Sequence, residues 1–259
     1  MGDPQHPYNV FDFTLNRGRD GPQQFLKNYT EVLLADAYGG YNGVVAGNTI
    51  TRAGCWSHAR RKFIEAEKTA PEIAREAVTL LRTLFAVEKQ AKEVSVQERL
   101  ALRQAQSAPL LIELRQKLLR GKEQLPPKHP MAEAVSYTLT QWTELNVFCS
   151  DGAVPIDNNA SERQMKRVVL NRKNSLFVGN PRGGRTAAIL ASLTSTCRRH
   201  QVDPQLYLTQ LLMNLPSWPV RDLDAWLPDQ WKLQHAARLA TLNQQNPAAP
   251  PNLASPAPE

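Results

Sequence analysis

The sequence is poor in cysteine and contains no long apolar run. Only three cysteines occur in 259 residues, and an odd number at wide spacing is typical of free thiols rather than of a disulfide framework. No apolar stretch approaches the roughly 18 residues that a membrane span needs, and the first residues form no secretory signal. We therefore expect a cytoplasmic protein with reduced thiols and no membrane partner.

Several signatures of catalysis are also absent. The sequence has no P-loop, no dinucleotide-binding fingerprint and no nucleophile elbow of the form G-x-S-x-G. These absences argue against nucleotide hydrolysis, dinucleotide-dependent redox chemistry and serine hydrolase chemistry of the common kinds.

Acidic residues are missing from one long segment. Between Arg163 and Val202 there are nine Lys or Arg and no Asp or Glu, although the whole chain has 31 basic and 24 acidic residues. Cations held on one face displace condensed counterions from a nucleic-acid backbone, so this segment favours a nucleic-acid partner. The alternative is a solvated helix face. A smaller basic group comprises Arg52, Arg60, Arg61 and Lys62.

The hydrophobic pattern predicts an α/β (α+β) chain in which short strands precede a mainly helical part. Aromatic and β-branched residues over 8–14 predict one strand, and apolar runs predict further strands over 31–37 and 50–55. Residues 56–68 have helical spacing, and apolar positions recur every three or four residues over 72–148, which predicts a helical hairpin.

The last third of the chain is predicted to be helical before a flexible end. One helix is expected from about Ser161, and another over 186–197, after a break at Gly183 and Gly184. Beyond Asn246 the sequence is rich in proline and alanine, so we expect a disordered tail.

Two acidic residues are candidate ligands of a divalent metal. Asp36 ends an apolar strand before a glycine-rich bend, where a carboxylate ligand would be well placed, although a turn-capping aspartate is the alternative. Glu162 directly precedes the acid-free segment. Its alternative role is a capping box with Asn159, which would satisfy the first amides of a helix.

Cys55 and His58 have the spacing of a Cys-x-x-His pair. A structural zinc site needs four ligands, and the remaining candidates form no second paired motif; they are His129, Cys149 and His200. The pattern therefore favours a structural or substrate-positioning pair over zinc.

Six blocks of sequence occur in a fixed order along the chain. They are VFDFT at 10–14, LLADAYGGYN at 33–42, CWSHARRKF at 55–63, DNNASER at 157–163, RKNSLFVGN at 172–180 and GGRTAA at 183–188. In these blocks the chain resembles the bacterial transposases of the insertion sequence 66 family, and the resemblance extends over roughly residues 8 to 212.

The resemblance implies a DDE-type active site and a partner. Asp36 matches the second aspartate and Glu162 the glutamate of an Asp-Asp-Glu site that holds Mg²⁺ or Mn²⁺, with Cys55 and His58 in support. The partners would be double-stranded DNA, as transposon ends and target, and a second copy or sister transposition proteins. The implied DNA-binding residues are Arg60, Arg61, Arg163, Lys166, Arg167, Arg172, Lys173, Arg182 and Arg185.

The same resemblance implies a fold and its division into regions. We expect a ribonuclease-H-like core, incomplete at its N-terminus, with a large helical insertion and a helical C-terminal region. The sheet portion would occupy 1–70, the insertion 71–150 and the helical, basic part of the catalytic core 151–215. A C-terminal segment over 216–245 and the disordered tail over 246–259 would follow.

One departure from the family pattern qualifies the expected activity. The first catalytic aspartate of the family lies on a strand before the block that contains Asp12, and the chain begins after that strand. Asp12 itself is expected to have a structural role. We therefore expect a transposase catalytic domain that is truncated and impaired as a lone chain, with an inactive DNA-binding or oligomerising remnant as the alternative.

Overall fold

The fold is that of a computed structural model, mostly helical with one small sheet. It describes residues 7–16, 18–47, 49–174 and 177–245. The chain forms two compact units. We call residues 16–166 the central unit, and we call the other unit, which comprises 1–15 and 167–259, the terminal unit.

The central unit begins with a βαβ arrangement. Its elements are α1 (Asp20–Phe25), β1 (Val32–Leu34), α2 (Asn42–Gly47), β2 (Thr51–Ala53) and α3 (Trp56–Glu65). The two strands pair in parallel, with Val32 opposite Thr51 and Leu34 opposite Ala53. The strands predicted over 31–37 and 50–55 are therefore present, each three residues long, and the α+β class is confirmed.

The end of β2 is held closely against a later part of the chain. The amide of Gly54 donates to the carbonyl oxygen of Glu144 over 2.7 Å. A Cβ atom at Gly54 would lie 3.1 Å from the backbone nitrogen of Leu145, so only glycine fits without a shift of that backbone. This close approach fixes the direction in which the chain leaves the sheet and enters α3.

Five further helices of the central unit confirm the predicted helical segment. They are α4 (Pro71–Gln90), α5 (Val96–Leu102), α6 (Ala108–Glu123), α7 (Pro130–Thr140) and α8 (Trp142–Asn146). Residues 103–107 form a π-helical turn that joins α5 to α6. Pro109 lies two residues beyond this turn, and since proline lacks the amide that an α-helix needs, the wider turn accommodates it.

The helices α3, α4, α6 and α7 pack around one apolar core. Trp56 and Phe63 of α3 are fully buried, together with Leu81 of α4, Leu114 of α6 and Val135 of α7. Because apolar residues recur every three or four positions, each helix presents one apolar face to this core.

The terminal unit is built from helices. Helix α9 (Asn159–Asn174) begins in the central unit, and its residues from Arg167 onward belong to the terminal unit. The following helices are α10 (Pro181–Arg199), α11 (Pro204–Asn214) and α12 (Pro228–Gln245). A small core of the terminal unit contains Cys197, Val202, Tyr207, Leu211 and Trp231.

The strand predicted over residues 8–14 is wrong. This segment has no regular secondary structure, and its amides donate to side chains of α10 instead of to a strand: Asn9 to Thr196 Oγ1 over 3.0 Å, and Phe11 to Ser192 Oγ over 2.8 Å. Hydroxyl groups on a helix thus satisfy the donors that a neighbouring strand would satisfy in a sheet.

The start of α10 also differs from the prediction, because the helix begins before the two glycines. Pro181 occupies the first turn, and the side chain of Asn180 accepts a hydrogen bond from the amide of Gly183 over 2.9 Å. A Cβ atom at Gly184 would lie 2.6 Å from the ring of Phe13. Glycine there permits close packing and does not break the helix.

Two further expectations concern a membrane-spanning helix and the C-terminal tail. In the part of the chain that the structure describes, no helix is both long and apolar enough to span a bilayer. The tail predicted to be disordered, residues 246–259, lies outside the described residues.

Candidate functional site

Asp36 lies just beyond the carboxyl end of β1 and is half-buried. Its Oδ1 atom accepts a hydrogen bond from the amide of Tyr38 over 3.1 Å, and its backbone carbonyl accepts one from Arg52 over 2.8 Å. The turn-capping contact is therefore present. It uses one carboxylate oxygen, so the contact is compatible with a second role for the side chain.

Tyr137 of α7 lies near the segments that follow the two strands. Burial raises the pKa of Tyr137, and the nearby acidic groups of Asp36 and Cys55 raise it further. The ammonium group of Lys62 lies 4.7 Å from the centre of the Tyr137 ring. Asp36, which follows β1, and Cys55, which follows β2, thus both lie near Tyr137.

Cys55 precedes α3 in an extended conformation and is buried. The amide of Trp56 donates to Ile156 over 3.1 Å, and its indole donates to Leu145 over 2.7 Å, so the start of α3 is held against the loop before α9. Burial raises the pKa of Cys55, which keeps the thiol neutral at physiological pH.

The first turn of α3 contacts the start of α9 through side chains. His58 Nε2 lies 3.3 Å from Glu162 Oε1. Ser57 donates to Asp157 Oδ2 over 2.7 Å, and the side-chain amide of Asn159 donates to the same oxygen over 2.7 Å. These contacts fix the carboxylate of Glu162 relative to α3.

The capping box between Asn159 and Glu162 is not formed at the start of α9, within the residues that the structure describes. The amide of Asn159 donates to Asp157 Oδ1 over 3.1 Å, while the carboxylate of Glu162 contacts His58. Asp157 therefore serves the amides at the start of the helix. Glu162 is left with its histidine partner and an exposed face.

Glu162 lies in an open depression of about 360 Å³ on the surface of the central unit. Asn159, Arg163 and Lys166 also line it, because residues three, four and seven apart share one face of a helix. The Glu162 side chain is 38% exposed. The depression thus offers an accessible carboxylate flanked by two cations.

The other basic residues predicted to bind DNA have varied surroundings. Arg60 is half-buried, with its guanidinium 5.9 Å from the centre of the Phe85 ring, whereas Arg61 is exposed. The side chain of Arg172 is not among those described. Four of these predicted residues are exposed and belong to the terminal unit: Arg167, Lys173, Arg182 and Arg185.

The residues offered as metal ligands differ in the cations that they suit. Carboxylate oxygens, as in Asp36 and Glu162, are the ligands that Mg²⁺ and Mn²⁺ prefer, whereas zinc favours thiolate and imidazole. Over the described ranges, no group of three or more His, Cys, Asp and Glu side chains could hold a metal. His129, one candidate zinc ligand, instead accepts a hydrogen bond from the amide of Met131 over 3.1 Å.

The thiols provide a test of the zinc alternative. Burial raises the pKa of Cys149 and of Cys197 to about 11, and it also raises that of Cys55. All three thiols are therefore protonated near pH 8, and iodoacetamide should label the buried Cys55 and Cys197 only after unfolding in guanidinium, as measured by mass spectrometry. Fast labelling of Cys55 in the native protein would instead indicate a thiolate.

Several residues around the site make contacts that the sequence does not indicate. Ser57, Asp157 and Asn159 belong to the blocks of resemblance but were not singled out as a hydrogen-bonded group. Tyr137 lies in a helical pattern without any signal of its own. Three of the five tryptophans occur between positions 218 and 231, a concentration that could have drawn attention to the terminal unit.

Comparison with known families gives the class of the protein. The family model described as Transposase IS66 family matches residues 1–186, and the model described as IS66 C-terminal element matches residues 192–228. These matches identify the chain as a transposase by family. It belongs to the IS66 family, as the sequence blocks predicted.

Two curated relatives from Sinorhizobium fredii match nearly the whole of this chain. The uncharacterized protein y4jD is 34% identical over 246 residues, which cover 92% of this chain and 48% of the relative. The uncharacterized protein y4hP is 34% identical over 254 residues, with 92% and 46% covered. The chain thus spans about half the length of the curated relatives it matches. No solved structure matches it.

Proposed function

We propose that the chain carries two carboxylates of a DDE-type transposase site, Asp36 and Glu162, in a ribonuclease-H-like core that cleaves and joins DNA strands. The observation that carries this proposal is the position of Glu162. Its carboxylate contacts His58 and lies in an open depression flanked by Arg163 and Lys166.

The sheet supports a common location for the two acids. Parallel strands end at the same edge of a sheet, and ligands of α/β folds bind beyond that edge. Asp36 follows β1, and only Gly54 and Cys55 separate the end of β2 from the start of α3, at the same edge. His58, in the first turn of α3, contacts Glu162. This arrangement supports a common location for the two acids beyond the carboxyl ends of the strands.

Each residue of the proposed site has a distinct role. His58 orients the carboxylate of Glu162, as hydrogen-bonded partners commonly do for metal ligands. Asp36 and Glu162 would hold Mg²⁺ or Mn²⁺, which when bound would stabilise charge on the attacking and leaving oxygens of a phosphodiester. Arg163 and Lys166 would contact phosphate oxygens and position the strand without reading its sequence.

The proposed setting follows from the family. Double-stranded DNA, at transposon ends and at a target, is the partner of the site in the cytoplasm, together with a second copy or sister proteins of transposition. A second candidate function is DNA binding or oligomerisation without catalysis. It is favoured by the donor set, because two carboxylates alone make a weaker metal site than a complete triad.

Donor-end duplex DNA incubated with the purified chain and Mn²⁺ tests the proposal. We expect slow strand cleavage that EDTA prevents, and we expect Asp36→Ala to abolish cleavage while duplex binding persists. The double change Arg163→Ala with Lys166→Ala should weaken binding and flatten its salt dependence by about 0.9 per cation removed.

A control variant and two further outcomes distinguish strand cleavage from DNA binding without catalysis. Arg82→Ala removes an exposed cation of α4 and should leave cleavage and binding unchanged. Duplex binding without cleavage under any metal would favour the second candidate function. Cleavage that survives Asp36→Ala would contradict the assignment of this residue.

A further inference from the structure

A second pocket lies in the terminal unit, among the tryptophans of its C-terminal part. Its volume is about 240 Å³, and the residues that line it include Gln210, Trp218, Trp226, Trp231, Gln234 and Arg238. We propose that this pocket binds one base of single-stranded DNA, with the adjoining phosphate on Arg238. The inference rests on the proposed function only in taking DNA as the partner.

The aromatic side chains give the pocket fixed walls. The rings of Trp218 and Trp226 meet edge to face with centres 5.4 Å apart. Trp231 is buried, packs edge to face against Tyr207 and stacks on His235 with ring centres 4.6 Å apart. The Trp218 residue remains 37% exposed. An exposed indole on a rigid aromatic support is a suitable stacking surface for a base.

Polar groups around these rings include donors and an acceptor that internal hydrogen bonds do not use. The indole nitrogen of Trp226 is buried and has no hydrogen-bond partner among the described residues. Gln210 Oε1 accepts from the indole of Trp231 over 3.2 Å, which leaves the amide nitrogen of Gln210 as a donor. Gln234 donates to Ala225 over 3.3 Å, which leaves its side-chain oxygen as an acceptor. Bases offer both complementary kinds of group.

Charge and size favour a nucleotide over other ligands. The lining contains Arg238 and no acidic residue, so an anionic group is matched at the rim. The volume is below the roughly 300 Å³ at which pockets for drug-sized ligands begin, which suits a single planar ring. Bases of a duplex are stacked inside the helix, whereas those of a single strand are available for stacking on protein side chains.

A proline-rich peptide is the competing ligand, because aromatic grooves also bind polyproline helices. Such peptides carry no phosphate for Arg238 to contact. The cation at the rim and the acid-free lining therefore favour the nucleotide, and the peptide becomes an outcome of the experiment.

Binding of a fluorescent thymidine oligonucleotide of about 12 nucleotides to the full chain tests the proposal. Trp218→Ala should raise the Kd for this single strand about fivefold or more, because base stacking on an aromatic ring contributes at least that factor. Trp218→Phe should restore most of the affinity. Arg238→Gln should flatten the salt dependence by about 0.7, and Arg82→Ala should change nothing.

The outcomes against the proposal are distinct from those against the catalytic site. Unchanged single-strand affinity in Trp218→Ala, with the melting temperature of the wild type, would overturn it. Preferential binding of a peptide with the sequence of residues 246–258 would also overturn it, if Trp218→Ala abolished that binding. Intact single-strand binding beside failed duplex cleavage would reject the proposed function and leave this pocket assigned.

Discussion

Replacement of Arg103 by methionine is expected to lower the free energy of unfolding of the central unit by about 3 to 5 kcal/mol. Arg103 lies in the π-helical turn and is 1% exposed. Its Nη2 and Nε atoms donate to the carboxylate of Glu88 over 2.6 and 2.8 Å. Methionine fills much of the volume but leaves this carboxylate without its cation.

The same arginine holds the loop that leads to the candidate site. Its Nη1 atom donates to the carbonyl oxygens of Phe148, Asp151 and Val154 over 2.8, 2.9 and 2.9 Å. Loss of these bonds removes a charged donor from all three carbonyls, which is costly away from water, although the carbonyl of Asp151 keeps the amide of Val154 as a donor over 3.2 Å. Because this loop precedes Asp157 and α9, the substitution should also loosen the contact between His58 and Glu162.

Urea denaturation measures the effect of Arg103→Met. Arg115→Met, on the exposed face of α6, is the control and should shift stability by no more than about 0.5 kcal/mol. Changing Glu88 to leucine together with Arg103→Met should recover part of the loss, because no buried charge then remains. A loss below about 1 kcal/mol in the single variant would contradict the structural role.

Replacement of Glu162 by glutamine is expected to remove stabilisation of the protein by Mn²⁺. A ligand at about 100 times its Kd stabilises the folded state by about 2.7 kcal/mol. Glutamine keeps the size of the side chain but lacks the negative charge that a divalent cation requires. The rise in melting temperature on adding Mn²⁺ should therefore vanish in Glu162→Gln, and also in Asp36→Asn.

A second glutamine variant serves as the control for this experiment. Glu133 lies on the exposed side of α7, and Glu133→Gln should respond to Mn²⁺ as the wild type does. An equal Mn²⁺ response in Glu162→Gln and wild type would mean that the cation binds elsewhere. The comparison thus isolates the carboxylate at position 162 from general effects of charge.

The local hydrophobic pattern was sufficient to predict an element whose formation depends on its own segment of sequence. The strands over 31–37 and 50–55 and the helical stretch over 72–148 were predictable, because apolar spacing reports which face of an element is buried. The segment 8–14 was not, because its composition suits an extended chain but does not specify the partner of its amides. The hydroxyl groups of Ser192 and Thr196, about 180 residues later in the chain, accept hydrogen bonds from these amides.

The candidate site was predictable in its residue types but not in its contacts. Motif blocks indicated His58 and Glu162 separately, whereas their 3.3 Å contact depends on how α3 packs against the start of α9. Arg103 carried no signal, since a buried arginine looks like any other charged residue in sequence. The pocket lined by Trp218 and its neighbours was not predictable, because it forms only through the packing of the helices in the terminal unit.

Anomalous diffraction from Mn²⁺-soaked crystals of the chain tests the central claim most directly. The claim is that Asp36 and Glu162 share one divalent cation beside the depression lined by Arg163 and Lys166. We expect an anomalous peak within bonding distance of carboxylate oxygens from both acids. A peak bound by Glu162 and His58 without Asp36, or carboxylates too far apart to share a cation, would contradict the account.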